Sequence, residues 1–129
     1  MSNIIKIDLE LSVQEFEILG AVYKINYNDE GLKNLQKQSR KFFDKIEGLN
    51  ELKPEKMTAK QEKEYEEAYY LAIKDIIDSF FGEGSYEELY EKTNRSLFVM
   101  LKIIEGVYSW IEKEFLTAKK EKKSYYTKK

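Results

Sequence analysis

The side chains that could do chemistry in this chain are carboxylates, lysines, hydroxyls and phenols, because its 129 residues include no histidine and no cysteine. Composition therefore excludes histidine catalysis and metal sites built on histidine or cysteine. Acidic residues crowd between Glu62 and Glu91. Glu62, Glu66 and Glu67 fall outside the apolar stripe of their predicted helix, which is typical of a solvated face rather than of a carboxylate metal site.

Two glycines, Gly82 and Gly84, follow an apolar run and could suggest a phosphate-binding loop. The stretch lacks the spaced second glycine and the Lys-Ser/Thr pair that complete such a motif, whereas a glycine in the left-handed conformation commonly ends a helix. No serine or threonine has a recognisable base partner. The sequence therefore predicts a joint between two helices, no cofactor, no metal and no enzymatic activity.

The charge distribution is uneven at one end of the chain. Between Thr117 and Lys129 six lysines stand against a single acid, Glu121, whereas the whole chain carries a net charge of −2. Lysines beside Tyr125 and Tyr126 could bind phosphates and stack on bases, so one alternative is a small nucleic-acid-associated regulatory protein. Docking onto an acidic partner is another. Like charges at a chain end commonly stay flexible, and we predict a flexible basic tail at 119–129 without a nucleic-acid partner.

The elements that would position these residues begin with two alternating patterns. Residues 4–11 alternate apolar and charged side chains, which predicts a half-buried strand. Residues 15–27 alternate on both sides of Gly20, which predicts a hairpin. The rival interpretation is a helix capped by Ser12 and Glu15, but that helix would have to cross Gly20 and a β-branched, aromatic run.

From residue 28 the apolar period changes to three and four, which is typical of helices. A cap at Asn28 or Asp29 would open the first helix, which runs to a polar linker at 50–57. Thr58 and Gln61 form a capping-box pattern for the second helix, which we expect to end near the two glycines.

Two further helices are predicted after the glycines. The pattern Ser-Tyr-Glu-Glu at 85–88 resembles another capping box and predicts a short helix at 86–92. Residues that compete with the helix backbone follow at 93–96, so the last helix is predicted from about Ser96 to Ala118. Its apolar face is wider than one stripe.

These patterns predict a mainly α fold (α+β), in which a small N-terminal β-hairpin or meander precedes a bundle of three to four helices. We expect a single domain over residues 1–118, with a β element at 1–27 and a helical part at 28–118. The first residues lack the features of a signal peptide, and no stretch has the ~20 apolar residues of a membrane span. The expectation is a cytoplasmic protein without a membrane partner.

Surplus apolar and tyrosine side chains indicate where a protein partner would bind. The last helix has more apolar residues than one core stripe uses, and tyrosines, which suit interfaces, cluster around the joint. We therefore predict partner-binding residues on that helix (Val99, Ile103, Trp110) and at the joint (Phe81, Tyr86, Tyr90). A homo-oligomer is also expected.

The layout resembles a known family. A hairpin "FEILGAVYKINYND", a helix start "DEGLKNL" and the stretch "IIDSFFGEGSYEELYEKTNRSLFVMLKIIEGVYSWI" are similar to the tail assembly chaperones of long-tailed bacteriophages and prophages of low-GC Gram-positive bacteria. The similarity covers most of residues 15–115 and is one of pattern. The matching positions are Phe81, Gly82, Gly84, Tyr86, Tyr90 and the span from Leu97 to Ile111.

This resemblance implies a protein that acts by binding in the host bacterial cytoplasm. Such chaperones coat the tape measure protein, keep its long hydrophobic helix soluble, and help to bring the subunits of the tail tube, the major tail protein, to it. Many also exist in a longer, frameshifted form. The resemblance therefore implies exposed apolar helix faces and reversible self-association.

Overall fold

The first regular element of the computed structural model, which describes residues 3–52 and 54–116, is a β-hairpin. Strand β1 (Val13–Ile18) pairs antiparallel with strand β2 (Ala21–Asn26). Leu19 and Gly20 form the two-residue turn at φ values of 50° and 82°, because the twist of a tight hairpin requires positive φ at both positions. The predicted hairpin is confirmed.

The strand predicted at residues 4–11, here called the apolar segment, is wrong. The segment contains no β-structure, and its five large apolar side chains are 72–85% exposed. The hairpin ladder ends where the N–H of Tyr27 donates to the carbonyl of Ser12 (2.7 Å). A helix begins at Asp29, so β2 has no residues left that could pair with the segment.

Helix α1 (Asp29–Asn50) begins at the predicted position. Asn28 Oδ1 accepts a hydrogen bond from the N–H of Gly31 (2.8 Å), which satisfies one of the free amides of the first turn. Asp29 and Glu30 add negative charge where the helix dipole favours it. A short 3-10 turn (Pro54–Lys56) lies in the linker that follows.

Helix α2 (Ala59–Phe81) starts with the predicted capping box. Thr58 Oγ1 accepts from the N–H of Gln61 (3.2 Å), and Gln61 Oε1 accepts from the N–H of Thr58 (3.0 Å). At the other end the N–H of Gly82 donates to the carbonyl of Asp78 (2.8 Å). Gly82 has a φ of 107°, so the helix stops at a residue that tolerates this conformation.

Helix α3 (Ser85–Lys92) and helix α4 (Leu97–Ile111) complete the fold, and a single π-helical turn (Glu112–Leu116) extends α4. Ser96 Oγ caps α4 by accepting from the N–H of Val99 (3.2 Å). The end predicted for this helix at Ala118 lies outside the described residues.

Helix α2 lies at the centre of the molecule, in contact with α1, α3, α4 and β2. The core is a single cluster to which the hairpin and all four helices contribute. The most deeply buried side chains in it include Ile25, Ile73, Ile77, Leu89, Met100 and Val107. The fold is therefore mainly α with a small N-terminal β-hairpin, as predicted. None of the helices in the described residues is long and apolar enough to span a membrane.

Candidate interaction surfaces

The glycine joint between α2 and α3 is a tight bend held by side chains of α2. Asp78 Oδ1 accepts a hydrogen bond from the N–H of Tyr86 (2.9 Å), and Lys74 Nζ pairs with Glu87 (2.8 Å). The capping box predicted at 85–88 is wrong, because Ser85 is already helical and Gly84, with a φ of 89°, occupies the cap position. Asp78 instead satisfies a free amide of α3 from the preceding helix.

Tyr86, a predicted partner-binding residue, lies inside the core. Its side chain is 1% exposed, its ring stacks on Tyr90 (5.3 Å between centroids, 16°), and the ring of Tyr70 meets its face edge-on (5.3 Å). Burial, assisted by the neighbouring Tyr70, Tyr90 and Glu87, raises the pKa of the Tyr86 phenol well above its usual range. In the folded monomer Tyr86 is a packing residue with no face left for a partner.

Removing the Tyr86 hydroxyl is expected to stabilise the fold. The oxygen is buried and has no hydrogen-bond partner among the described residues, so Tyr86→Phe should raise the free energy of unfolding by about 1 kcal/mol at neutral pH. Because burial keeps the folded pKa above the unfolded value near 10, the unfolded chain ionises first as the pH rises above ~10, and this ionisation lowers the stability of the wild type but not that of Tyr86→Phe. Between pH 8 and pH 11 the free energy of unfolding, measured by chemical denaturation, should therefore fall less for Tyr86→Phe than for the wild type.

A hydrogen-bonded group ties the hairpin to α3. The Tyr23 hydroxyl donates to Glu88 (2.8 Å), and Lys92 Nζ lies 3.2 Å from the same carboxylate. The hydrogen bond from Tyr23, followed by the charge and hydrogen bond of Lys92, lowers the pKa of the Glu88 carboxyl. The joint region is thus anchored to β2 as well as to α2.

Phe81 and Trp110, also predicted to bind a partner, meet the hairpin of their own chain. The Phe16 ring lies 5.4 Å from Trp110 and 6.1 Å from Phe81. The Tyr27 ring also packs edge-on against Trp110 (5.5 Å between centroids). Both predicted residues are half-buried, so part of the apolar surplus that the sequence places on α4 is used inside the monomer.

Val99 and Ile103 lie on the same flank of α4 as Trp110, because positions three and four apart share a helix face. Both are half-buried. Gly106 lies between Ile103 and Trp110 on this flank, and apart from its chain neighbours and the backbone of its own helix no atom of the described residues comes within 4 Å of where its side chain would be. This α4 flank, defined by Val99, Ile103, Gly106 and Trp110, is therefore incompletely covered and has open space beside it.

On the opposite flank of α4 an apolar groove of about 500 Å³ separates it from α1. Phe43, which is 40% exposed, packs edge-on against Tyr108 across this groove (4.7 Å between ring centroids). Further apolar walls are Phe42, Ile46, Tyr69, Leu101 and Ile104.

A second depression of about 710 Å³ lies beside the α1–α2 pair and is lined by Leu49, Leu52 and Tyr65. Tyr65 in this depression and Tyr69 in the groove have ring centroids 6.0 Å apart, so the two depressions are neighbours along α2. The two neighbouring depressions are here called the α1–α4 trough.

Sequence reasoning missed the trough and the exposure of the apolar segment. Most trough residues, among them Phe42, Ile46 and Tyr69, belong to the apolar stripes of their helices, and periodicity does not tell which member of a stripe lies at its edge. Phe43 and Phe98 lie outside these stripes, and their exposure was not predicted. The segment was visible as an apolar pattern, but its partner strand was assumed to come from the same chain.

Cationic side chains form a ridge on the outer side of α1. A depression there is bordered by four cationic residues, Lys33, Lys37, Arg40 and Lys41. The lysine-rich tail at 119–129, on which the nucleic-acid alternative depends, lies outside the described residues. The described residues contain no group of three or more acidic side chains placed to hold a metal ion.

Neither the models of protein families nor the curated proteins nor the solved structures contain a match to this chain.

Proposed function

We propose that this chain is a binding protein of the phage tail assembly chaperone type, which holds an apolar helix of the tape measure protein during tail morphogenesis and assists its meeting with the major tail protein. The observation that carries the proposal is the α1–α4 trough. An apolar helix lying in an apolar groove is a recurring mode of protein recognition, and aromatic walls such as Phe43 and Tyr108 supply large contact areas.

The length and charge of the trough indicate which kind of client helix would fit it. The α1 residues along it run from Phe42 to Leu49, which corresponds to about 10 Å, or roughly two helical turns, at ~1.5 Å per residue. Its charged border has three acids, Glu51, Glu64 and Glu105, against one cation, Lys56, so it is acidic on balance. A client helix with one apolar face flanked by lysine or arginine complements this border, and repeated helices of that kind would let several copies bind along one long protein.

Co-expression with the tape measure protein encoded in the same genome tests the proposal. We expect the wild-type chain to retain that protein in the soluble fraction and to co-purify with it. Phe43→Glu, which places a charge inside the trough, should reduce co-purification about tenfold or more. Leu71→Glu is the matched control, because Leu71 is similarly exposed (44%) but lies on α2 outside the trough.

Two outcomes would contradict the proposal. A wild-type chain that leaves the tape measure protein insoluble would remove the function. Equal co-purification by a folded Phe43→Glu variant and by Leu71→Glu would show that the client does not bind in the trough. Circular dichroism of both variants supplies the check on folding.

A further inference from the structure

The apolar segment has a strand pattern but pairs with no strand among the described residues of its own chain. Ile5, Ile7, Leu9 and Leu11 share one face, and Lys6, Asp8 and Glu10 share the other. Five large exposed apolar side chains within eight residues form an interaction surface rather than scattered surface residues. At ~3.3 Å per residue the segment spans about 26 Å, which is enough to cover the whole of six-residue β1.

Strand β1 supplies a complementary feature, an unpaired edge. The sheet formed by the described residues has two strands, so one edge of β1 pairs with β2 and the other has no strand beside it. Ser12 and Tyr27 form a hydrogen-bonded pair, and such pairs alternate along an antiparallel ladder. From the register of the hairpin, Glu15 and Glu17 therefore turn their backbone N–H and C=O groups towards the free edge.

The segment cannot easily fold back onto its own β1. A return would need a tight turn at Glu10, Leu11 and Ser12, and two-residue hairpin turns favour glycine, asparagine or aspartate at their positive-φ positions. In the structure the N–H of Val13 instead donates to the carbonyl of Leu11 (2.7 Å), so a local bend at Ser12, and not a hairpin turn, joins the segment to β1. The described residues of the chain therefore supply no strand for this edge, and a second copy can do so.

We propose that two copies of this chain exchange their apolar segments, each segment adding as an antiparallel third strand to the free edge of β1 in the other copy. Exchange of identical elements between protomers is an economical route to a two-fold dimer. The added strand turns its apolar face to the side of the hairpin that carries Phe16. Phe16 already contacts Trp110, so this face meets the incompletely covered α4 flank.

Charge and side-chain pairing select one register. With Ile5 opposite Phe16, Lys6 lies opposite Glu15 and Asp8 opposite Val13, so an opposite-charge pair forms and no like charges meet. A shift by two residues in one direction pairs Lys6 with Glu17 but places Asp8 opposite Glu15, so a like-charge pair offsets the opposite-charge pair. A shift by one residue would turn the apolar face to solvent.

A charge-reversal cycle, followed by the dimer dissociation constant in analytical ultracentrifugation of the full chain, tests the register. Lys6→Glu and Glu15→Lys should each weaken dimerisation about tenfold or more, because each change is counted twice in a two-fold dimer. The double variant should return to within about threefold of the wild type. Lys33→Glu, an exposed charge change on α1, should leave the constant unchanged.

Apolar and backbone variants extend the test. Ile7→Lys should leave the protein folded, since Ile7 is exposed in the monomer, yet abolish the dimer. Glu15→Pro should also abolish it, because this N–H faces the free edge and proline removes it while the pairs with β2 remain.

A monomeric wild type, or a dimer that the double charge reversal fails to restore, would overturn the proposal. So would a dimer lost in Phe43→Glu, because the second copy would then occupy the α1–α4 trough. No client is present in these measurements, so their failure is separate from failure of the proposed function.

Discussion

Replacing Ile77 by alanine is expected to lower the free energy of unfolding by about 3–4 kcal/mol. Ile77 is 0% exposed and lies on α2, the helix that contacts α1, α3, α4 and β2. Truncation removes buried methyl groups and leaves a cavity. The neighbouring side chains come from several elements, and they cannot move into the cavity without losing their other packing contacts. Urea denaturation followed by circular dichroism measures the change.

Leu71→Ala on the same helix provides the comparison. Leu71 is 44% exposed, so the same kind of truncation should cost less than about 1 kcal/mol. Similar losses for both variants would show that α2 does not hold the centre of the core. A changed slope of the unfolding transition for Ile77→Ala would show that the native or denatured state had changed in compactness, so the slopes need to be compared first.

The elements of the fold could be predicted because the signals that define them are local. Asn28, Thr58 and Ser96 each cap the helix that follows them, and a cap requires only a side chain and an amide two or three residues away. The hairpin turn at Leu19 and Gly20 depends equally on adjacent residues. Signals of this kind are complete within a short stretch of sequence.

The apolar segment shows where local signals end. The alternating pattern predicts a strand, but a strand also needs a neighbouring strand to pair with. Here β2 ends and α1 begins before β2 could pair with the segment. Ser85 illustrates the same limit at the joint. Its sequence pattern fits a capping box, but the side chain of Asp78, from the preceding helix, already accepts the N–H of Tyr86.

The predicted partner surface shows a related limit. A wide apolar face on α4 indicates surplus apolar area, yet the sequence does not say which flank is covered by the chain itself. The hairpin covers Trp110 through Phe16 and Tyr27. The groove beside Phe43 and Tyr108 stays open. Which face is left for partners is thus decided by tertiary contacts.

The trough and the edge of β1 lie on opposite flanks of α4, which has a consequence for the proposed function. A dimer formed through exchanged segments would leave both troughs accessible. A dimer with two troughs would bind two segments of one long client protein. Linked binding sites raise the apparent affinity without any new contact. Loss of the dimer through Ile7→Lys should therefore weaken client binding as well, whereas loss of the trough through Phe43→Glu should leave the dimer intact.

Gly31→Ala is expected to destabilise the protein by about 3 kcal/mol, although alanine is the better helix former. Gly31 lies in the first turn of α1, where the end of β2 passes close by. An added methyl group would overlap the backbone carbonyl oxygen of Asn26 and lie 3.1 Å from Asn28 Oδ1. The backbone of Asn26 cannot move away without displacing Ile25, which is buried in the core, and Asn28 is the cap of the helix.

Gly48→Ala in the same helix is the matched control and should have the opposite sign. Apart from the chain neighbours of Gly48 and the backbone of α1 itself, no atom of the described residues lies within 4 Å of the methyl group added there. Only the helix propensity therefore changes, and stability should rise by about 0.5 kcal/mol. Thermal and urea unfolding of both variants measure the two effects. Equal stabilisation by both substitutions would mean that β2 and α1 do not meet as closely as the structure shows, and the position of the hairpin on the helices would then be wrong.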